Sequence, residues 1–314
     1  MKYHPLGKTG LEVSFLSLGT LTLGPLQADL SPPSSRQLLL KARSLGVNLF
    51  DTAELYGTYR HIGEAFPRHD SQVLVSSRSY AATAGEMEQS LRRALEETGR
   101  PSIELFMVHQ QESEHTLRGH YQALRYLAGA KRRGLVKAVG ISTHHVAAAA
   151  AALLYEEIEV VFAILNHRGL GIQDGTAQDM RGALEALHGE GKGIMVMKAL
   201  GGGHFYREAE MAFRFLRELP FVATVTVGAR DENELLMDYL LLHGMEVPQE
   251  LARTIGERER RLHVEDCQRC GACVERCPNK ALSLGEEGAE LDAGRCLLCG
   301  YCAAACPEFC IKVL

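Results

Sequence analysis

The cysteines of this chain lie only at its C-terminal end, and their distribution limits what the chain can fold into. All nine are found from Cys267 onward, whereas the 266 residues before it contain none. The cysteines of a single domain would be spread along its sequence, so this concentration predicts two modules with different chemistry. We place a large module at residues 1–250 and a small one at residues 265–314. Between them, residues 251–264 include a charge-rich stretch and are predicted to form a linker helix.

Composition and charge exclude several classes of protein. Apolar residues make up 46% of the 314 residues and charged residues 23%, which is ordinary for a globular protein. The net charge of −5 supplies no basic surface, so nucleic acid is not expected as a partner. The longest apolar run, Val146–Tyr155, is about half as long as a membrane span, and no apolar run near the N-terminus suggests a signal peptide. We therefore expect a cytoplasmic protein with no membrane partner.

The large module alternates short apolar runs with segments whose apolar residues recur at helical spacing. Runs this short and this apolar suit parallel strands that are buried on both faces. The eight predicted strands are Phe15–Gly19, Val47–Asp51, Val73–Ser77, Ile103–Val108, Val136–Ile141, Val160–Leu165, Ile194–Met197 and Thr224–Val227. The predicted helices are Ser34–Leu45, His61–Phe66, Ala84–Thr98, Leu117–Arg133, His145–Leu154, Met180–Glu190, Ala209–Leu219 and Glu232–Leu242. This α/β pattern predicts a (β/α)8 TIM barrel, with an open doubly wound sheet as the alternative.

The first residues of the large module read as a β-hairpin. Met1–Ser14 is expected to turn at Lys8-Thr9-Gly10 and to cover the floor of the barrel.

Polar side chains follow the C-terminal ends of the predicted strands, where barrel enzymes carry their chemistry. The set comprises Gly19, Thr20, Asp51, Arg78, His109, Ser142, Asn166, Lys198, Gly228 and Arg230. Tyr56 follows Asp51 closely and brings a phenol near a carboxylate. Each residue alone would more often be structural, since an aspartate at a strand end commonly caps a helix. Together, an acid, cations, an imidazole and a phenol predict an active site.

The small module carries one cysteine spacing twice. The first copy is Cys267-x2-Cys270-x2-Cys273-x3-Cys277-Pro278, and the second is Cys296-x2-Cys299-x2-Cys302-x3-Cys306-Pro307. This spacing resembles that of bacterial ferredoxins that bind two [4Fe–4S] clusters. The fourth cysteine of each run is too far along the chain to reach the same cube, so it is predicted to ligate the other cluster. Cys306 would therefore complete the first cluster, and Cys277 the second.

Two other uses of the cysteines fit the spacing less well. Zinc would take two Cys-x2-Cys pairs per ion rather than a threefold run that ends in Cys-Pro. Disulfides are not expected in a reducing cytoplasm. Cys310 is left over, and we predict that it is a buried apolar thiol in a small α+β ferredoxin-like domain.

At the second predicted strand, the sequence is similar to a known family. Asp51-Thr-Ala-Glu-Leu-Tyr56-Gly57 resembles the aldo-keto reductase signature. The family's pattern is also matched by Leu6–Gly10, by Gly140-Ile-Ser142 and by Gly228-Ala-Arg230, and the resemblance covers about residues 1–245. It implies a barrel that binds NADP(H) and reduces a small carbonyl compound, or oxidises the corresponding alcohol.

The resemblance implies a role for each of four residues. Tyr56 matches the family's general acid, and His109 matches the histidine that orients the substrate carbonyl. Asp51 matches the aspartate that pairs with a catalytic lysine, but Arg78 occupies the position of that lysine. Arginine keeps the positive charge, but its side chain is larger and planar, and it does not lose its proton in the pH range in which enzymes work. The arginine therefore leaves two outcomes equally open: ordinary carbonyl reduction, and carbonyl reduction that is altered or impaired.

The resemblance also implies cofactor contacts, and here the match is mixed. Ser142 and Asn166 match residues that hold nicotinamide, and Gly228 and Arg230 would bind the pyrophosphate and the 2′-phosphate. Gly19, Thr20, Asp51 and Lys198 complete the predicted cofactor-binding set. The chain departs from the family's nucleotide pattern at Phe162, Leu165, Met237 and Asp238. NADP(H) is the favoured ligand, and a flavin is the alternative.

Joining these two modules raises a question of electron counting. Nicotinamide passes two electrons together as hydride, whereas each cluster passes one electron at a time. We predict an iron–sulfur oxidoreductase, with a redox partner protein as a further candidate partner. The alternatives are a flavin-containing barrel reductase and a non-catalytic barrel that serves as an electron-transfer subunit.

Overall fold

The computed structural model describes residues 1–66, 68, 70–256, 261–308 and 310–313. The strands of its large domain are β1 (Tyr3–Pro5), β2 (Glu12–Ser14), β3 (Leu16–Gly19), β4 (Leu49–Asp51), β5 (Leu74–Ser79), β6 (Ile103–Gln111), β7 (Val136–Thr143), β8 (Val160–Ile164), β9 (Gly193–Met197) and β10 (Thr224–Val227). Strands β3 to β10 are parallel and close into a barrel, with β10 pairing to both β9 and β3. The predicted TIM barrel is confirmed, and the open sheet is excluded.

The helices surround the barrel and alternate with its strands. They are α1 (Pro32–Ser44), α2 (Tyr59–Ala65), α3 (Ala84–Thr98), α4 (Glu114–Gly119), α5 (Tyr121–Arg132), α6 (Val146–Ala151), α7 (Ala177–Gly189), α8 (Ala209–Arg217), α9 (Glu232–Leu242) and α10 (Gln249–Gly256). The single helix predicted at Leu117–Arg133 is two helices, because His120 leaves the helical conformation and its ring bonds to the carbonyl of Thr116. None of the helices in the described ranges is long and apolar enough to cross a membrane.

The N-terminal hairpin closes one end of the barrel, as predicted. Strands β1 and β2 pair antiparallel, and the turn between them is closed by a hydrogen bond from the amide of Leu6 to the carbonyl of Leu11. Leu6, Leu11 and Val13 pack with the inward-facing residues Leu105 and Met195 in one buried cluster. The floor of the barrel is therefore filled with side chains, which leaves the opposite mouth for chemistry.

The small domain contains two copies of one unit. Its elements are β11 (Leu262–Val264), α11 (Ala272–Arg276), β12 (Leu282–Leu284), β13 (Ala289–Leu291), α12 (Tyr301–Ala305) and β14 (Ile311–Val313). Strand β11 pairs with β14, and β12 pairs with β13. The buried core of this domain consists mostly of cysteine side chains.

The predicted linker helix at residues 251–264 requires a correction. Helix α10 begins earlier, at Gln249, and runs to Gly256. Residues 262–264 are a strand rather than a helix, because their backbone pairs with β14 at the end of the chain. The remaining part of the prediction, residues 257–260, lies outside the described residues.

The small domain sits against the open mouth of the barrel. Hydrogen bonds join Gln27 Nε2 to the carbonyl of Leu298 (2.9 Å), His204 Nε2 to the carbonyl of Cys296 (2.5 Å) and Gln173 Nε2 to Asn279 Oδ1 (3.1 Å). Gly202 has a φ of 75°, and a Cβ there would collide with the backbone of Leu297. The second cysteine run is thus held directly over the C-terminal ends of the barrel strands.

Candidate active site

The fold brings the four predicted catalytic residues together at the barrel mouth. Asp51 ends β4, Arg78 lies near the end of β5 and His109 lies in β6. Tyr56 follows β4 in a short 3-10 turn that ends at Gly57, which adopts a left-handed conformation with a φ of 66°. All four side chains are buried.

Arg78 is the centre of this group. Its Nη1 donates to Asp51 Oδ1 at 2.6 Å and to the carbonyl of Thr52 at 3.2 Å. Its Nη2 donates to the hydroxyl oxygen of Tyr56 at 2.6 Å, and its Nε donates to His109 Nε2 at 3.3 Å. A lysine carries one nitrogen and could not make all these contacts at once. The arginine at this position therefore connects the other three residues through separate nitrogens.

The charges of the group can be worked out from its burial. Burial raises the pKa of Tyr56, and the neighbouring Arg78 opposes that rise. Burial also raises the pKa of Asp51, again opposed by Arg78. Burial alone would lower the pKa of Arg78, but the charge of Asp51 and its hydrogen bond to Arg78 oppose burial, and that pKa is raised. Tyr56 therefore keeps its proton at neutral pH and lies beside a permanent cation that would stabilise its tyrosinate.

His109 is neutral, and its hydrogen-bond partners identify its tautomer. Burial lowers its pKa well below the usual value, and the cations Arg78 and Arg276 lower it further. Because Arg78 Nε can only donate, His109 Nε2 must accept, and the single ring proton belongs on Nδ1. That Nδ1 is buried and has no hydrogen-bond partner among the described residues. Tyr80 stacks on the ring, with 4.3 Å between the ring centroids.

A large cavity runs from this group along the barrel mouth. It extends from Asp51 and Tyr56 to Met237 and Asp238 of α9. Of the predicted cofactor-binding residues, Gly19, Asp51, Lys198, Gly228 and Arg230 line it. An elongated cavity suits an extended nucleotide cofactor.

A smaller cavity also borders Tyr56 and shares Arg78 and Lys198 with the large one. The barrel lines it with Tyr56, Arg78, His109, Ser142, His144 and Lys198. The small domain lines it with Pro278, Asn279, Leu297, Cys299 and Tyr301.

The contributions of Cys299 and Tyr301 to this cavity were not predicted, because more than two hundred residues separate them from Tyr56 in the sequence and no local pattern links them. His144 was also missed, although it directly follows Ser142-Thr143 at the end of β7.

The cysteines of the small domain surround two further cavities. One is lined by Cys267, Cys270, Cys273, Cys306 and Cys310, and we call the first four of these cysteines cluster site 1. The other is lined by Cys277, Cys296, Cys299 and Cys302, and we call this set cluster site 2. Each of the two crossed sets that the spacing predicts thus lies around one cavity, with Cys310 as a fifth cysteine at the first. Four thiols around a cavity suit a [4Fe–4S] cube.

Backbone amides of the small domain point at the cysteine sulfurs in the same way at both sites. The amides of Arg269 and Leu298 each donate to the cysteine two residues earlier, at 3.4 Å. The amides of Ala281 and Cys310 each donate to the cysteine four residues earlier, at 3.3 Å. Such N–H groups stabilise the negative charge of thiolate ligands. Cys310 itself is buried, as predicted, and its thiol lies 3.3 Å from the carbonyl of Asp266.

Comparison with known proteins identifies both domains. A sequence model of the aldo/keto reductase family matches residues 15–252. The chain belongs to the aldo/keto reductase family. A 4Fe-4S dicluster domain matches residues 266–310, which confirms the iron–sulfur character of the small domain.

Individual relatives agree with this family assignment. Uncharacterized oxidoreductases of Mycobacterium bovis and Mycobacterium tuberculosis are 32% identical over 122 residues, which is 35% of this chain and only 36% of theirs. The structure of a candidate aldo-keto reductase from Pseudomonas aeruginosa covers 77% of this chain and 95% of its own, with a TM-score of 0.67 and 26% identity. An aldo-keto reductase from Bacillus halodurans has a TM-score of 0.63 over 82% of this chain and 96% of its own; at 16% identity it shows the shared fold alone.

Two residues predicted to contact the aldo/keto reductase cofactor do not reach either cavity at the barrel mouth. The hydroxyl of Thr20 is hydrogen-bonded to that of Thr58 at 2.7 Å, and Thr22 lines the large cavity instead. The amide of Asn166 is used within its own loop, where it donates to the carbonyl of Leu170 and accepts from two backbone amides. Both side chains are therefore occupied in holding the loops at the strand ends.

At the end of the large cavity where phosphate binding was predicted, the protein's own carboxylates lie beside Arg230 and the start of α9. Arg230 Nη2 lies 3.0 Å from Glu234 Oε1, and Nε lies 3.1 Å from the same oxygen. The side chain of Asp231 caps α9 by accepting from the amides of Asn233 and Glu234. Glu234 was not singled out in the sequence, although its i, i+4 spacing from Arg230 is the usual signal for such a pair.

Proposed function

We propose that this chain is an iron–sulfur oxidoreductase that interconverts a small carbonyl compound and its alcohol at Tyr56. The observation that carries the proposal is the position of Cys299. This member of cluster site 2 lines the same cavity as Tyr56, Arg78 and His109. A cluster held there would lie beside the reacting groups, so the two domains would act as one redox unit rather than as independent modules.

The barrel residues supply proton transfer and orientation. In the direction of reduction, Tyr56 donates its proton to the substrate oxygen. Arg78 stabilises the resulting tyrosinate through its 2.6 Å contact, and Asp51 holds Arg78 in place through the ion pair. His109 lines the same cavity as Tyr56 and would help to orient the substrate carbonyl there. When bound, NADP(H) supplies a hydride and the clusters supply single electrons.

The large cavity supports NADP(H) as the nucleotide ligand. Lys198 is placed at the end near Tyr56, and Gly228 and Arg230 at the end near α9, which agrees with an extended dinucleotide. Arg230 would have to exchange Glu234 for a 2′-phosphate, so preference for NADPH over NADH is expected to be weak. Ser142 lines the smaller cavity and would contact the nicotinamide end.

One observation favours a flavin as the second candidate cofactor. Phe162 stands where the family has a glutamine, is fully buried, and has the guanidinium carbon of Arg78 4.9 Å from its ring centroid. An aromatic ring at this position offers a flat apolar surface in place of an amide. A flavin would also divide an electron pair into single electrons for the clusters.

The test is an ultraviolet–visible spectrum of anaerobically purified protein, followed by addition of stoichiometric dithionite, a one-electron reductant, and then of a carbonyl substrate. We expect cluster absorption that dithionite bleaches and that an aldehyde restores, together with formation of the alcohol. Flavin bands in the starting spectrum would select the second cofactor. Clusters that are never reoxidised by any carbonyl compound would contradict the proposal and indicate an electron-transfer subunit. Recovery of the protein in the cytoplasmic fraction, and copurification of a redox protein, would test the proposed location and partner.

A further inference from the structure

In the two cysteine runs of the small domain, the segments that lead into the helix differ at one position, and this position faces the barrel in the second run. Cys270-Gly-Ala272-Cys273 in the first run corresponds to Cys299-Gly-Tyr301-Cys302 in the second. Both segments enter a five-residue helix through a left-handed glycine, with φ values of 80° at Gly271 and 76° at Gly300. The backbone is therefore the same and only the side chain differs. Cluster ligation does not require an aromatic ring at this position, because the first run has alanine there.

The ring of Tyr301 is inserted into the barrel mouth. It is 5% exposed and packs in one buried cluster with Tyr56, Ala53 and Leu26. A Cβ on the preceding Gly300 would collide with the carbonyl oxygen of Leu26, whereas a Cβ on Gly271 would meet only Leu284 at 3.6 Å. The close approach is thus specific to the second run, and it brings Tyr301 against the catalytic tyrosine.

A cation holds the Tyr301 ring in this position. The guanidinium carbon of Arg276 lies 5.7 Å from the ring centroid of Tyr301 and 5.4 Å from that of Tyr80. Tyr80 stacks in turn on His109. Arg276 ends helix α11 of the first run, so side chains of both runs support the ring. Because these contacts hold the ring of Tyr301 in place, it forms a fixed part of the cavity lining.

We propose that Tyr301 is a specificity-determining residue of the barrel's active site, supplied by the iron–sulfur domain, and that it restricts the site to small carbonyl substrates. This inference rests on the proposed function. Tyr301 and Tyr56 line the same cavity, so the ring occupies volume next to the place where the substrate oxygen must bind. Tyr301→Ala would give the second run the same side chain that the first run has at Ala272. It would enlarge the cavity beside Tyr56 without changing the cysteines.

The test compares Tyr301→Ala, Tyr301→Leu and Tyr301→Phe in the full holoprotein, with aldehydes from acetaldehyde to benzaldehyde as probes. Tyr301→Ala should raise the ratio of kcat/KM for benzaldehyde to that for acetaldehyde by about tenfold or more, the scale on which pocket size discriminates. Tyr301→Phe keeps the ring and should keep the ratio. The matched control, Ala272→Tyr, makes the reciprocal change at the first run and should leave the ratio unaltered.

Binding is measured in parallel, with acetamide and benzamide as unreactive probes, by calorimetry. Tyr301→Ala should strengthen benzamide binding relative to acetamide by a similar factor. If the unaltered protein converts no aldehyde, the proposed function fails, and the amide affinities still decide the role of Tyr301. Equal ratios in the unaltered protein and in all three Tyr301 variants would overturn the inference. So would loss of four irons per chain in both Tyr301→Ala and Tyr301→Leu, because the ring would then serve the cluster.

Discussion

Replacement of Arg78 by methionine tests whether this residue holds the active site together. Its side chain is 4% exposed and that of Asp51 is 2% exposed, with 2.6 Å between Nη1 and Oδ1. Removing one member of such a buried pair typically costs about 3–5 kcal/mol, because the other charge is left without compensation. For a domain of this size each kcal/mol lowers the midpoint of thermal unfolding by about 2–4 °C. Arg78→Met should therefore lower the midpoint by roughly 6–20 °C in far-ultraviolet circular dichroism.

The same reasoning predicts a rescue and a pH dependence. Asp51→Asn combined with Arg78→Met removes the stranded charge and should recover most of the lost stability. In Arg78→Met alone, the pKa of Asp51 rises further, because burial raises it and the opposing cation is gone. A carboxyl with a raised pKa in the folded state loses stability as the pH rises through that value, so the deficit should be larger at about pH 8 than at about pH 5. A midpoint change below about 2 °C, or a double variant as unstable as the single one, would refute this account.

Three further predictions concern the clusters, the cofactor and the proton donor. Anaerobic reconstitution should give about eight irons per chain, and Cys306→Ala should damage cluster site 1; loss confined to cluster site 2 would show that the crossed ligation is wrong. Glu234→Gln frees Arg230 and should tighten NADPH relative to NADH by about tenfold or more in calorimetry, whereas an unchanged ratio removes Arg230 from the 2′-phosphate site. Tyr56→Phe should lower carbonyl turnover by about 10² to 10⁴ with the cluster spectrum intact. Tyr59→Phe, which removes another buried hydroxyl, is the control, and equal activity of both variants would exclude Tyr56 as the proton donor.

The barrel and the cluster sites could be predicted because their signals are local in the sequence. Apolar runs such as Val160–Leu165 match an observed strand, here Val160–Ile164, since a strand buried on both faces is mostly apolar. Strand ends in a closed parallel barrel meet at one mouth, so Asp51, Arg78 and His109 had to lie close together. The crossed cysteine sets follow from how far a short run of backbone can reach.

The rest of the site depends on contacts between distant parts of the chain. Whether Asn166 faces the cofactor or its own loop is decided by the backbone around Leu170, which the strand pattern does not specify. The docking of the small domain depends on Gln27, His204 and the close approach at Gly202, none of which forms a recognisable motif. For this reason the sequence could place Cys299 in a cluster site but not beside Tyr56.

The position of cluster site 2 also explains why the barrel mouth carries so much positive charge. Burial raises the pKa of the Cys299 thiol, and the nearby cation Lys198 opposes that rise. The same lysine lies near Cys296 and lines both cavities around Tyr56. A cube with four thiolate ligands is an anion, and so is a substrate oxygen that has gained electrons before its proton arrives. Both would be stabilised by buried cations, and Lys198 and Arg78 line the cavity that Cys299 shares with Tyr56.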